Sequence, residues 1–297
     1  MDQYLQVFVT VVEKGNFSRA AEELHMTQPA VSQYIQTLER TIGARLLERT
    51  NKYVRLNKAG NAVYHHAKEI LGLYEKMQRI VDDLTNKASG ILTIGSSYTF
   101  GEYVLPHIIA KMQTSYPDID PTITIANTKE IAELVANHQL DVGIIEGHFK
   151  EKNLIVEKLA KDSMYIVASS KHAFSLKGEV TVKDVEKETW IIREQGSGTR
   201  EAQDAMFQKY ELHPVKLMEF GSTQLIKESV EAGLGISLLS NWAIQKELLL
   251  GSLKIIDVKG LPFTREFSVI TRTPFQTKAL EVFLNILKVN TSLPFKK

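Results

Sequence analysis

Between Phe17 and Arg40 the chain reads FSRAAEELHMTQPAVSQYIQTLER, which has the pattern of two short helices joined by a tight turn. Ser18 is placed to cap the first helix, because its hydroxyl can accept an N–H left unpaired in the opening turn. Ala20, Ala21 and Leu24 give that helix a small apolar face against which another helix can pack closely. Thr27 is placed to cap the second helix, with Pro29 in its first turn, where a missing N–H costs little. Val31, Ile35 and Leu38 recur at helical spacing and line a buried side. Pro29, Ser32, Gln33 and Gln36 share the opposite face, which carries short polar groups able to hydrogen-bond base edges.

Periodicity alone fits an ordinary core hairpin equally well. The segment that follows favours a nucleic-acid reading. From Arg40 to Lys58 the cations are Arg40, Arg45, Arg49, Lys52, Arg55 and Lys58, against the single anion Glu48. A helix-turn-helix with such a flank has phosphate-neutralising charge in the right place. Thr50, Asn51 and Lys52 form a polar turn between two short extended pieces, Leu46–Leu47 and Val54–Leu56, which reads as a hairpin wing. Net charge is only +1 over 297 residues, so the basic excess is local. Residues 1–88 carry 12 Lys and Arg against 10 Asp and Glu.

These first sixty residues resemble the winged helix-turn-helix of LysR-type transcriptional regulators. The resemblance rests on Phe8, Gly15, Phe17, Ala20, Ala21, Leu24, Thr27, Gln28, Pro29, Ala30, Val31, Ser32, Ile35, Leu38, Glu39, Gly43, Leu46, Leu47, Arg49, Leu56, Ala59 and Gly60. Leu47 stands where the family often has Phe, and Asn57 where it often has Thr. The resemblance implies DNA contacts from Ser18, Gln28, Pro29, Ser32, Gln33 and Gln36, and from Arg49, Lys52 and Arg55 of the wing.

Asn57 caps the next element, a helix running to about Lys87. Its apolar residues Val63, Ala67, Ile70, Tyr74, Met77, Val81 and Leu84 alternate spacings of four and three, the seam of a coiled coil. Val63, Ile70, Tyr74, Met77 and Val81 are therefore expected to hold two copies together. Ala88–Ser89–Gly90 ends this helix, and strands and helices alternate thereafter, which argues a parallel sheet covered on both faces. The strands are expected at Ile91–Gly95, Thr122–Ala126, Asp141–Ile145, Met164–Ser169, Trp190–Ile192, Val215–Phe220, Ile236–Leu239 and Glu266–Arg272. Helices are expected at Tyr103–Ser115, Lys129–Asn137, Thr199–Tyr210, Thr223–Ala232 and Lys278–Leu287.

Residues 90–297 resemble the effector-binding domain of the same family. The implied fold is an α/β domain of two Rossmann-like lobes, built like the periplasmic solute-binding proteins. It follows an all-α winged helix-turn-helix and a long linker helix. The expected domains are 1–57 for DNA binding, 58–89 for the linker and dimerisation helix, and 90–297 for the effector. Within the last, lobe I takes about 90–161 and 266–297 and lobe II about 162–265, with crossings near Lys161 and Arg265.

In open α/β sheets ligands bind beyond the C-terminal ends of strands. Ser96, Ser97 and Thr99 follow the first strand, Asn127 the second and Glu146 the third. Gly196, Ser197, Gly198, Thr199 and Arg200 precede a helix, where free N–H groups and the dipole favour an anion. Arg200 would add charge on turning inward, and Thr223 opens a later helix. The GSGTR segment resembles a subset of the family tied to sulfur assimilation and carbon fixation, which implies a small inorganic or phosphorylated anion.

Enzymatic readings find no support. There is no cysteine, no complete dinucleotide or P-loop glycine pattern, no G-x-S-x-G elbow and no H-E-x-x-H. The eight histidines are scattered without ligand spacing. No cofactor or metal is expected. No secretory signal opens the chain and no apolar run approaches a membrane span, so the expected location is the cytoplasm. The reading is a homo-oligomeric regulator, dimer or tetramer, whose partners are double-stranded DNA, a small anionic effector and RNA polymerase, with no membrane. Two other classes remain open on the residues alone: a solute-binding protein or enzyme using the α/β part with the helical part as an oligomerisation arm, and an architectural DNA binder without effector.

Overall fold

The computed structural model describes residues 2–49, 54–83, 88–147, 153–176, 180–272 and 276–291. Contacts divide the chain into two units, Met1–Thr85 with Asn137–Gln139, and Asn86–Ala136 with Leu140–Lys297. Among the described residues, no helix is long and apolar enough to cross a membrane.

The first unit comprises α1 (Asp2–Lys14), α2 (Phe17–Glu23), α3 (Gln28–Ile42), β1 (Leu47–Arg49), β2 (Val54–Leu56) and α4 (Lys58–Asp83). Phe8, Ala20, Ala21, Val31, Ile35, Leu38, Leu46 and Ala67 form its core. Gly15 ends α1 in the left-handed region (φ +59°). Asn16, not Ser18, then caps α2, its side chain accepting from the N–H groups of Ser18 (2.8 Å) and Arg19 (3.1 Å). The helix begins two residues earlier than the hydroxyl suggested, and Ser18 lies exposed in its first turn. Thr27 caps α3 through Ala30 N–H, and Gly43 ends that helix at φ +79°.

The hairpin is tied to α3 by one carboxylate: Glu39 Oε1 accepts from the N–H groups of Leu46 (2.8 Å) and Leu47 (3.3 Å). β1 and β2 pair antiparallel with Glu48 opposite Arg55. Asn57 accepts from Gly60 N–H at 2.8 Å and donates to the Arg45 carbonyl at 2.8 Å, joining α4 to the start of the wing. A Cβ at Gly60 would stand 2.0 Å from the Leu46 carbonyl oxygen, so only glycine allows this approach.

The 26 residues of α4 span about 39 Å at 1.5 Å per residue. The seam divides along its length. Val63 and Ala67 pack into the core of their own unit, so Val63 is committed within the chain. Ile70, Leu73, Tyr74, Met77 and Val81 are exposed large apolar residues, and their spacing puts them on one face. Leu84 and Lys52 lie outside the described residues.

The second unit begins with β3 (Gly90–Ser97), α5 (Tyr98–Tyr103), α6 (Leu105–Ser115), β4 (Ile119–Ala126), α7 (Thr128–Ala136), β5 (Val142–Glu146) and β6 (Ile155–Ser169). It continues through α8 (Val182–Glu186), β7 (Thr189–Arg193), α9 (Gly198–Lys209), β8 (Lys216–Phe220) and α10 (Thr223–Glu231). β9 (Ser237–Ser240), α11 (Asn241–Leu250), β10 (Leu253–Ile255), β11 (Phe263–Thr271) and α12 (Lys278–Thr291) complete it.

One lobe is built on the order β4-β3-β5-β11-β6, with β3 parallel to both neighbours. The other uses the far half of β6, paired to β9 and β10; a bridge from Trp190 to Ile236 connects β7, and β8 runs parallel beside it. Each sheet is covered on both faces, one lobe by Leu92, Phe100 and Phe283 against Ile131 and Val135, the other by Trp190 and Met206 against Ile226 and Ile244.

Several expected elements change. The helix expected over Tyr103–Ser115 is α6, Leu105–Ser115, and a short unexpected helix, α5, precedes it from Tyr98. Ser96 and Ser97 therefore end a strand rather than sit in a loop. β6 starts at Ile155, nine residues before Met164. Its first half is mostly polar or exposed, which hides a strand whose partner β11 is more than a hundred residues away. α8, α11 and β10 had no expectation. α11 carries apolar residues without a single clean stripe, and the other two are five and three residues long.

The two crossing strands run side by side, with Asp162 opposite Arg265 and Lys161 opposite Glu266. Arg265 is buried there with all its partners. Its Nε donates to Asp162 at 2.8 Å, Nη1 to Glu146 at 2.6 Å and Thr199 at 2.9 Å, and Nη2 to Thr99 at 2.9 Å. Ser240 donates to the remaining Asp162 oxygen at 2.7 Å, and Thr99 N–H to Glu146 at 2.8 Å. Removing one partner of such a cluster leaves buried charge uncompensated, so Arg265→Met should cost about 3–5 kcal/mol; urea unfolding followed by circular dichroism measures it.

Candidate DNA-reading surface and effector cleft

On α3 the residues facing away from the core are Gln28, Pro29, Gln33 and Gln36, all exposed, with Ser32 half-buried beside them. Gln28 Nε2 donates to Ser32 Oγ at 3.0 Å, so these two form one polar patch in the first turn. The α3 cap orients this face, because Thr27, Pro29 and the buried Val31–Ile35–Leu38 row together fix the helix rotation. Arg55 lies exposed on β2. Arg49 ends β1, though its side chain, like Lys52 as a whole, lies outside the described residues. The arrangement presents amides able to meet base edges next to a strand pair carrying cations.

In the second unit the expected ligand residues fall into three groups. Thr99, Glu146 and Thr199 are drawn together around Arg265, their polar atoms satisfied by that guanidinium. Glu146 is therefore a strut between lobes rather than an exposed liner. Ser96 and Ser97 are buried, with Ser96 Oγ donating to the Ser97 carbonyl (3.2 Å) and Ser97 Oγ to the Ile144 carbonyl (3.3 Å). These two hydroxyls are occupied inside lobe I.

The second group is the glycine loop. Ser197 caps α9 by accepting from Thr199 N–H at 3.2 Å, which occupies part of the anion-friendly helix end. A Cβ on Gly198 would lie 2.3 Å from the Glu146 carbonyl oxygen, so this glycine lets α9 abut the end of β5. Gly196 has φ +89° and faces Asn127 and Lys129 of lobe I, and its carbonyl accepts from Lys129 N–H at 3.2 Å. A cavity of about 530 Å³ opens here, lined by Thr128, Lys129, Gln195, Gly196, Ser197, Gly198 and Arg200 among others. Arg200 does not turn inward. It pairs with Asp204 (2.9 Å) and Glu219 (2.7 Å), and donates to the Arg193 carbonyl at 3.0 Å, steadying the end of β7.

The third group is centred on a residue absent from the sequence-based expectations. Arg193, 1 % exposed, donates to Glu194 through Nε and Nη2 (2.7 Å each) and to Thr223 Oγ1 through Nη1 (3.1 Å). Its guanidinium lies 4.5 Å from the Tyr98 ring centroid, within cation–π range. Asn127 of lobe I lies close enough to the Glu194 carboxylate of lobe II to favour its charged form. Burial pushes the Glu194 carboxyl up, but the Arg193 bonds and charge outweigh it and hold the group below its usual range. Nearby, burial raises the Glu102 carboxyl despite the charges of Lys227 and Arg193. Burial works against the Lys227 ammonium, yet its bonds to Glu247 (2.6 Å) and Tyr103 leave it above the ordinary lysine value. Arg193 was legible in principle: a charged pair at the C-terminal end of a strand, directly before a glycine loop, is where such folds place ligand groups.

Family-level comparison covers nearly the whole chain. Residues 3–61 match the bacterial regulatory helix-turn-helix protein, lysR family, and residues 85–291 match the LysR substrate binding domain. The HTH-type transcriptional regulator CysL of Bacillus subtilis is 36 % identical over 287 residues, covering 96 % of each chain. A full-length OxyR variant from Pseudomonas aeruginosa superposes with a TM-score of 0.75 at 23 % identity, over 97 % of this chain and 95 % of that one. The CcmR regulatory domain of Synechocystis PCC6803, solved in complex with 2-PG, gives a TM-score of 0.63 at 26 % identity, over 68 % of this chain and 98 % of that one. A reading helix with a strand-pair wing, a two-lobed α/β domain and these matches lead to one conclusion: the chain belongs to the LysR family of transcriptional regulators, which bind DNA and carry a small-molecule effector domain.

Proposed function

We propose that this regulator binds operator DNA sequence-specifically as a homo-oligomer and is controlled by a small anionic effector held between the two lobes. The observation that carries the effector reading is Arg193. It is a buried guanidinium at the inner end of β7, flanked by Thr223 and Tyr98, with Asn127 reaching toward it from the other lobe through Glu194. A cation held in a low-dielectric junction with hydroxyl and amide groups around it suits an oxyanion. The CcmR regulatory domain, solved with 2-PG, supports an effector in the corresponding domain. Asn127, Gly196 and Thr223 remain in the proposed contact set, whereas Thr99, Glu146 and Thr199 act through the junction that holds the lobes together and the Ser97 hydroxyl is occupied inside lobe I.

The oligomer reading rests on α4. Met77 and Val81 are more than half exposed and Ile70 and Tyr74 nearly so, a continuous apolar stripe that a second copy would cover. Two linked reading heads would then bind two half-sites with a bivalent advantage.

Three measurements test these assignments. Ile70→Glu should shift sedimentation toward smaller species and abolish tight operator binding; an unchanged oligomer would remove α4 from the interface. In gel-shift titrations Gln33→Ala should cost about 1–3 kcal/mol on the cognate site and relax preference at one base position, while Arg55→Ala should weaken cognate and random DNA alike and lower the salt slope by about one. Screening phosphate-, sulfate- and carboxylate-bearing metabolites by thermal shift should yield a stabilising anion whose effect is lost in Arg193→Gln. An effector that still binds that variant at wild-type affinity would put the site elsewhere.

A further inference from the structure

The carboxylate of Glu194 sits where a ligand would. Its two oxygens accept from Arg193 Nε and Nη2 at 2.7 Å each, the parallel two-bond grip with which arginine takes a free carboxylate or phosphoryl group. Asn127, from the opposite lobe, lies beside the same carboxylate and favours its charged form. A residue adjacent in sequence to the buried cation thus faces the opposite lobe. The two partners differ in freedom. The Arg193 side chain is 1 % exposed and fixed by Thr223 and Tyr98, whereas the Glu194 side chain is 25 % exposed. Glu194 can turn to water without opening the core, and Arg193 cannot.

We propose that Glu194 is an internal stand-in for the effector. Without ligand it fills the anion position beside Asn127 of the opposite lobe. On binding, the effector's anionic group takes the Arg193 fork and the Asn127 amide while Glu194 swings into solvent. The inference rests on the reading that an anion binds between the lobes, and it adds how that site is regulated and what it selects. A free monocarboxylate would compete against a tethered one that uses the same two oxygens, with the tether supplying a high effective concentration. The class that fits is a tetrahedral oxyanion, phosphoryl or sulfate, whose further oxygens can reach the Asn127 amide and the Thr223 hydroxyl.

The test uses the full-length protein and inorganic sulfate as probe, read by thermal unfolding at constant ionic strength with chloride as the balancing anion. Freeing the fork removes a competitor, so Glu194→Gln should bind sulfate about tenfold more tightly than wild type or better, because apparent affinity scales with the fraction of competent site. Glu194→Ala, which leaves a carboxylate-sized gap beside the fork, should in addition be stabilised saturably by acetate, to which the wild type does not respond. Arg193→Gln sets the background from general salting effects. Equal sulfate affinity in wild type and both Glu194 variants, or no saturable binding in those variants, overturns the stand-in. If Arg193→Gln also binds sulfate as the wild type does, the anion-site reading falls with it.

Discussion

Everything in the effector domain is arranged about the Arg265 guanidinium. It is buried where β6 and β11 cross between lobes, and its hydrogen bonds reach α5, β5, β6 and the start of α9. A buried ion cluster of this kind is weak evidence for net stability, since desolvation offsets much of the Coulomb attraction. Its role is geometric. Glu146 and Thr99 come from one lobe and Thr199 from the other, so no separation of the lobes at this point is possible without stranding a charge. The lobes are pinned at the crossing and have freedom only away from it, toward Arg193, Glu194 and Asn127.

That asymmetry defines what an effector can do. A ligand shifts an equilibrium only by its differential affinity for two arrangements, and here the arrangements differ on the side opposite the pin. On that side lobe I meets lobe II through Asn127 beside Glu194, the backbone bond from Lys129 to Gly196 and the Tyr98 ring against Arg193. Each is individually modest, about 1 kcal/mol net for a hydrogen bond and about 2 kcal/mol for a desolvated cation–π contact, against the cluster at Arg265. Movement about the pin therefore costs less at the glycine loop than at the crossing.

How much of this was legible in the sequence depended on the range of the interactions. The helix-turn-helix was readable because helical period, caps and a glycine stop act within a few residues. Val31, Ile35 and Leu38 are buried where the period places them. Even there a choice between neighbouring caps went to Asn16 over Ser18, since the chain had already turned at Gly15. The α4 seam was readable as a pattern but not as a partition, because the sequence alone does not tell that Val63 and Ala67 face their own core. The first half of β6 and the Arg265 cluster were not readable. Their partners lie more than a hundred residues away along the chain, and an isolated Asp162 or Arg265 gives no local sign of burial.

The GSGT segment shows most clearly where reading by motif and reading by structure part. Two glycines, two hydroxyls and a helix start suggest an anion nest, yet each residue has a prior commitment. Ser197 spends its hydroxyl on the α9 cap, Gly198 removes the Cβ that would strike the Glu146 carbonyl, and Thr199 joins the Arg265 cluster. Only Gly196 faces Asn127 directly. The loop is thus rigid at its helical end and open at its strand end, where Arg193 and Glu194 lie immediately upstream. A change of partner at Glu194 acts on a segment two residues from Gly196, whose other end is locked to the pin. The same four residues that looked like a ligand cradle are better placed to carry a movement at the cleft into the orientation of α9.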